Sequence, residues 1–185
     1  MPFHTLKSYP RSVSMQPDDA HGSFSNHPVS SQDLHALVTE ETRSILQKTI
    51  DSIGADEGSL WWYDQSDESL VVCINTGPMA DELELKLSQT LDSGIVSMVF
   101  HSGEGVVAND VSSHPDHSKQ IDLELSQCTQ AMMVVPIYLW GDLRGVVSAV
   151  ILNETGRFGL GHLKEMHDLS AMLSRYLEED WKKKP

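Results

Sequence analysis

The sequence has few of the residues and segments that would place it at once in a disulfide-rich or a membrane-bound class. Two cysteines in 185 residues are too few for a disulfide scaffold, or for a zinc or iron–sulfur site made of four thiolates. No apolar run approaches the ~18 to 20 residues that a bilayer-spanning helix needs. The N-terminus also lacks the apolar core of a signal peptide. We therefore expect a soluble, cytoplasmic protein that does not bind membranes.

Basic residues are scarce as well. The chain has 13 Lys and Arg against 27 Asp and Glu, which gives a formal net charge of −14. Proteins that bind nucleic acids neutralise phosphates with Lys and Arg, and the only basic run here, Lys182 to Lys184, is at the very end. The charge therefore argues against a nucleic-acid partner.

The first 32 residues have the composition of a flexible tail. They contain half of the eight prolines and many serines, and their apolar residues follow neither a helical nor a strand period. Such a segment buries too little apolar surface to offset the entropy lost on ordering. We predict a flexible tail over residues 1–32, one domain over residues 33–181, and a short basic end over residues 182–185.

Apolar periodicity predicts a helix at each end of the domain and strands between them. The first helix begins at Ser31-Gln32-Asp33 and closes at Gly54, and the last runs from near Gly161 to Trp181. Strands are predicted over residues 56–63, 69–76, 105–110, 131–140 and 144–153, with a short helix over 94–101 and either a short strand or an irregular helix within 80–92.

The last two strands form a hairpin around Gly141-Asp142 and are apolar on both faces. Strands that are apolar on both faces need a covering layer on each side of the sheet. The sequence therefore predicts an α+β fold, in which helices sandwich a central antiparallel β-sheet of about five to six strands.

Three stretches carry further motifs. Residues 94–100 (GIVSMVF) precede Ser102-Gly103-Glu104 and Ala108-Asn109-Asp110-Val111, and the loop His114-Pro115-Asp116-His117 follows. The hairpin has the pattern Met133-Val134-Val135-Pro136-Ile137, Gly141, Gly145-Val146-Val147 and Asn153. In this order and spacing, over about residues 33 to 180, the chain resembles the GAF domain, a small-molecule sensor module related in fold to PAS domains.

The resemblance implies a ligand pocket between one sheet face and the segment from about residue 94 to residue 130. Small-molecule sites are mostly apolar with a few polar groups. Core filling or surface exposure explains each candidate as well as ligand contact does. The candidate lining residues are Trp61 or Trp62, Met98, His101, Asp110, His117, Gln120, Cys128 and Met132.

Branches of the family with known chemistry do not match this chain. The branch that reduces free methionine sulfoxide uses several cysteines, and only Cys73 and Cys128 are present. The bilin-binding branch commonly has histidine after its cysteine, whereas Thr129 follows Cys128. The cyclic-nucleotide signature is missing too, because Glu154 follows Asn153.

Catalysis and metal binding have little support in the residues. The loop His114-Pro115-Asp116-His117, with Asp110 nearby, is the one cluster of metal-capable side chains, and it lacks a helix to fix both imidazoles. A solvated polar loop explains it as well. We assign no catalytic residue, no metal ligand and no cofactor, and keep a thiol-dependent reductase or a metal-dependent enzyme as a weaker alternative.

The two terminal helices are apolar over about half of their circumference, which is typical of a helix with two partners. The second partner is either the other terminal helix or the same pair of helices in a second subunit. Trp181, near the chain end, favours the second. We predict a non-enzymatic sensory or regulatory domain that binds a small molecule and signals through a helix-mediated homodimer. The alternative is a degenerate interaction module whose pocket is filled by Met98, Met132, Met133 and aromatic residues.

Overall fold

The computed structural model of the chain describes residues 33, 36–114, 122 and 128–183. The predicted tail over residues 1–32 lies outside the described residues, as do residues 115–121 and 123–127. In the part of the chain that is described, no helix combines the length and the apolar character needed to cross a membrane.

Helices and strands alternate along the described chain much as the apolar periodicity predicts. The segment 80–92, for which a strand and a helix were alternatives, contains one of each. In chain order the elements are α1 (Glu40–Ser52), β1 (Glu57–Asp64), β2 (Ser69–Asn75), α2 (Ala80–Leu83), β3 (Ser88–Thr90), α3 (Ile95–Ser102), β4 (Val106–Ala108), a 3-10 turn (Val111–Ser113), β5 (Ala131–Leu139), β6 (Asp142–Ile151) and α4 (Leu160–Trp181).

The strands form one six-stranded sheet in the order β3-β2-β1-β6-β5-β4. Every neighbouring pair is antiparallel. The first and last strands meet at the centre, where Glu57 pairs with Val150 and Trp62 with Gly145. The predicted α+β fold with a central antiparallel sheet is therefore confirmed.

Glycine is required at position 145 by this central pairing. A Cβ atom at Gly145 would lie 1.9 Å from the backbone oxygen of Trp61 on the neighbouring strand. Real side-chain atoms do not approach a backbone oxygen so closely, so any larger residue would push β1 and β6 apart.

Each face of the sheet is covered by a different set of helices. On one face, which we call the terminal-helix face, Trp62, Met133 and Val147 of the strands pack against Leu46 of α1 and Leu173 of α4. Burial of this large apolar surface is the main source of stability for the two helices.

The opposite face, which we call the site face, carries Trp61, Val72, Val134 and Val146 and is covered by α2 and α3. Helix α3 contributes Ile95, Val96 and Val99 to this second core. The two layers that the apolar hairpin predicts are thus both present.

The helix predicted from Ser31-Gln32-Asp33 to Gly54 is not continuous: Asp33 is helical, residues 36–39 are not, and a further helix begins after them. Helix α1 starts at Glu40, because the Thr39 hydroxyl accepts a hydrogen bond from the Thr42 backbone N–H (3.2 Å) and the Thr42 hydroxyl accepts one from the Thr39 N–H (3.3 Å). This reciprocal cap fixes the helix start. Leu37 is fully buried in the terminal-helix core without being in α1, so its apolar character reflects burial rather than helical periodicity.

Trp181, which in the sequence favours an interface with a second copy, also has a packing partner within its own chain. Its indole ring packs edge-on against that of Trp140, with ring centroids 6.0 Å apart. Trp140 follows β5 at the hairpin turn, and its backbone N–H also donates to the Glu178 carboxylate (2.6 Å). The turn therefore reaches the C-terminal end of α4 and covers Trp181 within the same chain. Helices α1 and α4 also contact one another, so they cover each other as the alternative proposed.

Candidate functional site

The site face is largely apolar, and a row of polar side chains crosses its central strands. Side chains alternate along a strand, so Glu57 and Ser59 of β1 lie on the same face as Trp61. In the strand register, Ser59 is opposite Asn75 of β2 on one side and Ser148 of β6 on the other. We call Glu57, Ser59, Asn75 and Ser148 the polar row. All four are buried, with at most 9% of the residue exposed.

Hydrogen bonds hold this row in one arrangement. The Asn75 side-chain amide donates from Nδ2 to the Ser59 hydroxyl (3.0 Å), and its Oδ1 accepts from the Gly77 backbone N–H (2.7 Å). The Trp61 indole N–H donates to the Ser148 hydroxyl (2.9 Å). Buried polar groups are costly unless they are hydrogen-bonded, and once paired they specify a single geometry.

A salt bridge on α1 fixes the backbone of Asn75 from outside the row. Both terminal guanidinium nitrogens of Arg43, Nη1 and Nη2, contact the Glu84 carboxylate, with Nη2 to Oε2 at 2.9 Å. Glu84 also accepts from the Asn75 N–H (2.8 Å), and Arg43 donates to the Asn75 carbonyl (3.3 Å). The hydrogen bond to Glu84 raises the pKa of Arg43. We call Arg43 and Glu84 the clamp; it anchors the end of β2 to the first helix.

The Glu57 carboxyl is the one acidic group in the row. Burial raises the pKa of Glu57, the nearby Asp56 raises it further, and a hydrogen bond with Asn75 acts in the opposite direction. The carboxyl packs directly on Gly77, where a Cβ atom would come within 2.3 Å of its Cδ. Glu57 is therefore a closely packed carboxyl whose charged form is disfavoured.

Three of the sequence-predicted pocket residues come together on the site face. Trp61 is buried there, and Met98 of α3 and Met132 of β5 are partly buried against the same core. Trp62, the alternative to Trp61, lies on the terminal-helix face instead. Its alternation with Trp61 along β1 explains the difference, because consecutive strand residues face opposite sides.

Three other candidates are exposed and have local partners. The His101 ring nitrogen Nδ1 is 2.9 Å from the Ser97 carbonyl of its own helix. Asp110 accepts from the Ser112 hydroxyl (2.9 Å), and hydrogen bonds from Ser113 and Ser112 lower the pKa of its carboxyl. The Cys128 sulfur accepts from the Gln130 side chain (3.2 Å).

His117 and Gln120 lie outside the described residues. Of the remaining candidates, Met98 and His101 share an open depression of about 390 Å³ at the start of α3, together with Leu91, Asp92, Ser93, Gly94, Ser97 and Ser102. A second groove, of about 470 Å³, lies between α4 and the β5–β6 turn beside Tyr138, His167 and Arg175, and none of the sequence-predicted residues lines it.

No member of the polar row was among the residues predicted from the sequence. The signal was present, since Glu57 and Ser59 occupy alternate positions before Trp61, and Ser148 interrupts the otherwise apolar run of β6. Because the rest of this run is apolar, the Ser148 hydroxyl on the site face was overlooked. Asn75 gave no comparable pattern, because its partner across the strands is set by register, which the sequence does not display.

The thiols and the metal-capable side chains are placed apart from this row. Cys73 is buried on the terminal-helix face, where burial raises the pKa of its thiol to about 12. Met133, expected to fill the pocket in the degenerate alternative, is on that same opposite face. Of the loop at residues 114–117 only His114 is described. Among the residues with described positions, no three His, Cys, Asp or Glu side chains form a group fit for a metal ion.

Comparison with known proteins supports the fold. The model of the GAF domain family matches residues 35–178. The GAF domain of a phosphoenolpyruvate-protein phosphotransferase from Coxiella burnetii is similar to this chain with a TM-score of 0.68 at 18% identity, covering 82% of this chain and 95% of that one. No curated protein matches this chain in sequence.

Two further solved structures are similar to this chain in fold. Free methionine-R-sulfoxide reductase from Neisseria meningitidis, solved with its substrate, has a TM-score of 0.64 at 20% identity and covers 82% of this chain and 87% of its own. The GAF-B domain of DevS from Mycobacterium smegmatis has a TM-score of 0.62 at 14% identity, with coverages of 82% and 97%. At these identities the likeness is one of fold alone.

Proposed function

The chain belongs to the GAF domain family, and from that premise we propose that it is a sensory or regulatory module which binds a small molecule against its site face. The observation that carries this proposal is the polar row. Four hydrogen-bonding side chains lie close together on a face that is largely apolar. An apolar surface with a few convergent polar groups is the usual composition of a small-molecule site.

The proposal is tested by native mass spectrometry and by a thermal-shift screen of metabolites on the full chain. A retained ligand appears as added mass. A ligand at about 100 times its dissociation constant should stabilise the protein by about 2.7 kcal/mol.

A matched pair of variants then locates the bound molecule. Ser148→Ala removes a buried hydroxyl from the polar row, whereas Ser170→Ala removes one that donates to the Pro136 carbonyl on the other side of the sheet. The ligand-induced shift should fall in Ser148→Ala and persist in Ser170→Ala. Equal loss in both variants, or silence across a broad screen, would contradict the proposal.

Signalling through a helix-mediated homodimer is part of the same proposal. Helices α1 and α4 lie side by side on one face, and Met172 of α4 and Leu160 at its start are exposed apolar residues (41% and 84%). Exposed apolar side chains on a helix pair support an interface with a second copy. Light scattering of wild type and Met172→Glu tests this part: the wild type should be a dimer and the variant should dissociate more readily. A monomeric wild type would contradict it.

We propose further that the module is not an enzyme. The reductase neighbour makes thiol chemistry the natural competitor, but the Cys73 thiol, with a pKa of about 12, is protonated at neutral pH and faces away from the polar row. Cys128 is the exposed thiol. Reduction of free methionine sulfoxide by the wild type that disappears in Cys128→Ser would overturn this statement.

An interaction module without a ligand is the second candidate, and one observation favours it. Met98 and Met132 partly fill the site face, and the Tyr63 and Phe100 rings pack 5.0 Å apart beside them. Methionine adapts to fill irregular space in a core. Absence of any thermal shift, together with absence of added mass, would favour this candidate over the sensor.

A further inference from the structure

We infer that the ligand of the site face carries a protonated amine and that the Glu57 carboxylate is its partner. This inference rests on the proposed small-molecule function and narrows it to a chemical class. Three observations support it: Glu57 is buried without a cationic partner among the described residues, the polar row has unused hydrogen-bonding capacity, and an aromatic ring lies on the same face.

The first observation concerns charge. Glu57 is 7% exposed, and an ionised carboxylate at such a depth is expensive unless a cation accompanies it. Among residues with described positions, no Lys, Arg or His forms an ion pair with Glu57. Arg43, which donates to the Asn75 carbonyl, is paired with Glu84. A cationic ligand would supply the missing charge.

The second observation concerns hydrogen bonds. A carboxylate has about four acceptor sites, and among the described residues the Asn75 amide is the one side-chain donor that acts on Glu57. Ser59 and Ser148 each accept one hydrogen bond, from Asn75 and Trp61 respectively. An ammonium group has three N–H donors and no acceptor, so it complements a row whose partners are mainly acceptor oxygens.

The third observation concerns the surroundings of the row. Trp61 follows Glu57 and Ser59 on the same face of β1, and tryptophan is the aromatic residue that attracts cations most strongly. Beside it Val134, Val146 and Met132 form an apolar floor. A small molecule with an amine at one end and an apolar body would use both parts of the face.

The clamp makes the row rigid enough to discriminate between ligands. Asn75 is fixed at its backbone N–H by Glu84, at its carbonyl by Arg43, and at its side-chain oxygen by the Gly77 N–H. The amide nitrogen is thereby directed toward the row rather than away from it. Polar groups that are fixed in advance lose little entropy when a ligand binds.

The test uses probes matched in carbon skeleton on the full chain. 2-Phenylethylamine is compared with 2-phenylethanol and 3-phenylpropanoate, and pentylamine with pentanol and hexanoate, by calorimetry and thermal shift. We expect the amines to bind best. The variant Glu57→Gln should weaken amine binding by about tenfold or more and leave the alcohols unchanged. Glu179→Gln, which removes the same charge from an exposed position of α4, should change nothing.

The pH profile adds a readout that a merely structural role would not move. Amine affinity should fall as the pH is lowered through the titration of Glu57, whereas alcohol affinity should stay constant. Glu57→Asp, which keeps the charge, should retain part of the amine preference. This variant keeps the test decisive if Glu57→Gln does not fold.

Three results would overturn the inference: alcohols or carboxylates binding as tightly as amines, amine binding unchanged in Glu57→Gln, or no amine binding at millimolar concentration. These results are distinct from failure of the proposed function. A neutral or anionic ligand found in the metabolite screen would refute the amine and leave the sensor in place, and a silent screen would refute both.

Discussion

At the scale of single residues, the buried carboxyl of Glu57 lowers the stability of the folded protein when it is ionised. Its carboxyl lies against Gly77 in a row where each member is at most 9% exposed, so ionisation is disfavoured before any ligand is present. Such a residue is easily replaced by an uncharged one if folding is the only requirement. Its cost is consistent with a role in recognition.

Replacing Glu57 by Gln should stabilise the ligand-free protein at neutral pH. Because the pKa of Glu57 is raised above its ordinary value of 4.5, the folded state binds its proton more tightly than the unfolded state does. Its contribution to stability is therefore full below pH 4.5 and is lost as the pH rises through the folded-state pKa.

The effect of Glu57→Gln on stability is measured from the melting temperatures of wild type and variant between pH 4 and pH 8. The variant should melt higher at pH 7, and the difference should shrink toward pH 4. Glu179→Gln serves as the control, and a variant that is less stable at every pH would contradict the expectation.

The two cysteines should differ sharply in reactivity. Cys128 is exposed, whereas Cys73 is buried and its thiol has a pKa of about 12. Because the thiolate is the reactive form, native protein should react with one equivalent of a thiol reagent, and unfolded protein with two. Mass spectrometry should place the native adduct on Cys128, and Cys128→Ser should leave the native protein without fast labelling. Rapid labelling of Cys73 in the folded protein would contradict its placement.

At the scale of elements, the helices and strands that the sequence predicts well are those encoded by apolar periodicity and turn residues. The hairpin of β5 and β6 follows from two apolar runs around Gly141-Asp142, and α4 follows from its repeating leucines. The start of α1 was missed because Leu37 continues the apolar pattern although the Thr39 cap begins the helix two residues later. A buried residue just before a helix looks like part of that helix in the sequence alone.

The clamp is the contact between elements with the clearest energetic consequence. Arg43→Ala should lower the free energy of unfolding by about 1 to 2 kcal/mol, because Glu84 and the Asn75 carbonyl lose charged donors in a partly buried setting. The free energy of unfolding of Arg43→Lys should lie between that of Arg43→Ala and that of the wild type, since an ammonium cannot make the paired contact of a guanidinium.

Urea denaturation measures the free energy of unfolding of Arg43→Ala and Arg43→Lys. Arg175→Ala is the matched control, because the Arg175 side chain is exposed and contacts the Ala171 carbonyl of its own helix (3.3 Å); it should cost less than about 0.5 kcal/mol. Equal effects at positions 43 and 175 would show that the clamp contributes nothing specific.

At the scale of the whole molecule, fold and site were predictable to different degrees. The antiparallel sheet between helices followed from the order of apolar runs, and Trp61, Met98 and Met132 do share one face. The polar row was not found, because Ser59, Asn75 and Ser148 are far apart in sequence and meet only through strand register. The partner of Trp181 within the chain was missed for a related reason: Trp140 lies in the β5–β6 hairpin, far from Trp181 in sequence.

The strand order determines when the site face can form during synthesis of the chain. Strand β6 alone joins the β3-β2-β1 half of the sheet to the β5-β4 half. A growing chain that has reached Trp140 has made five strands, but its two half-sheets have no shared partner. We expect a fragment ending at Trp140 to be digested rapidly by protease, under conditions in which the full chain resists.

The site face takes Ser59 and Asn75 from one half, Met132 and Val134 from the other, and Ser148 from β6 itself. Pairings so distant in sequence form late, because a long loop must close first. Under the proposed function, a chain still under synthesis therefore cannot bind its ligand through this face until the last strand has been inserted.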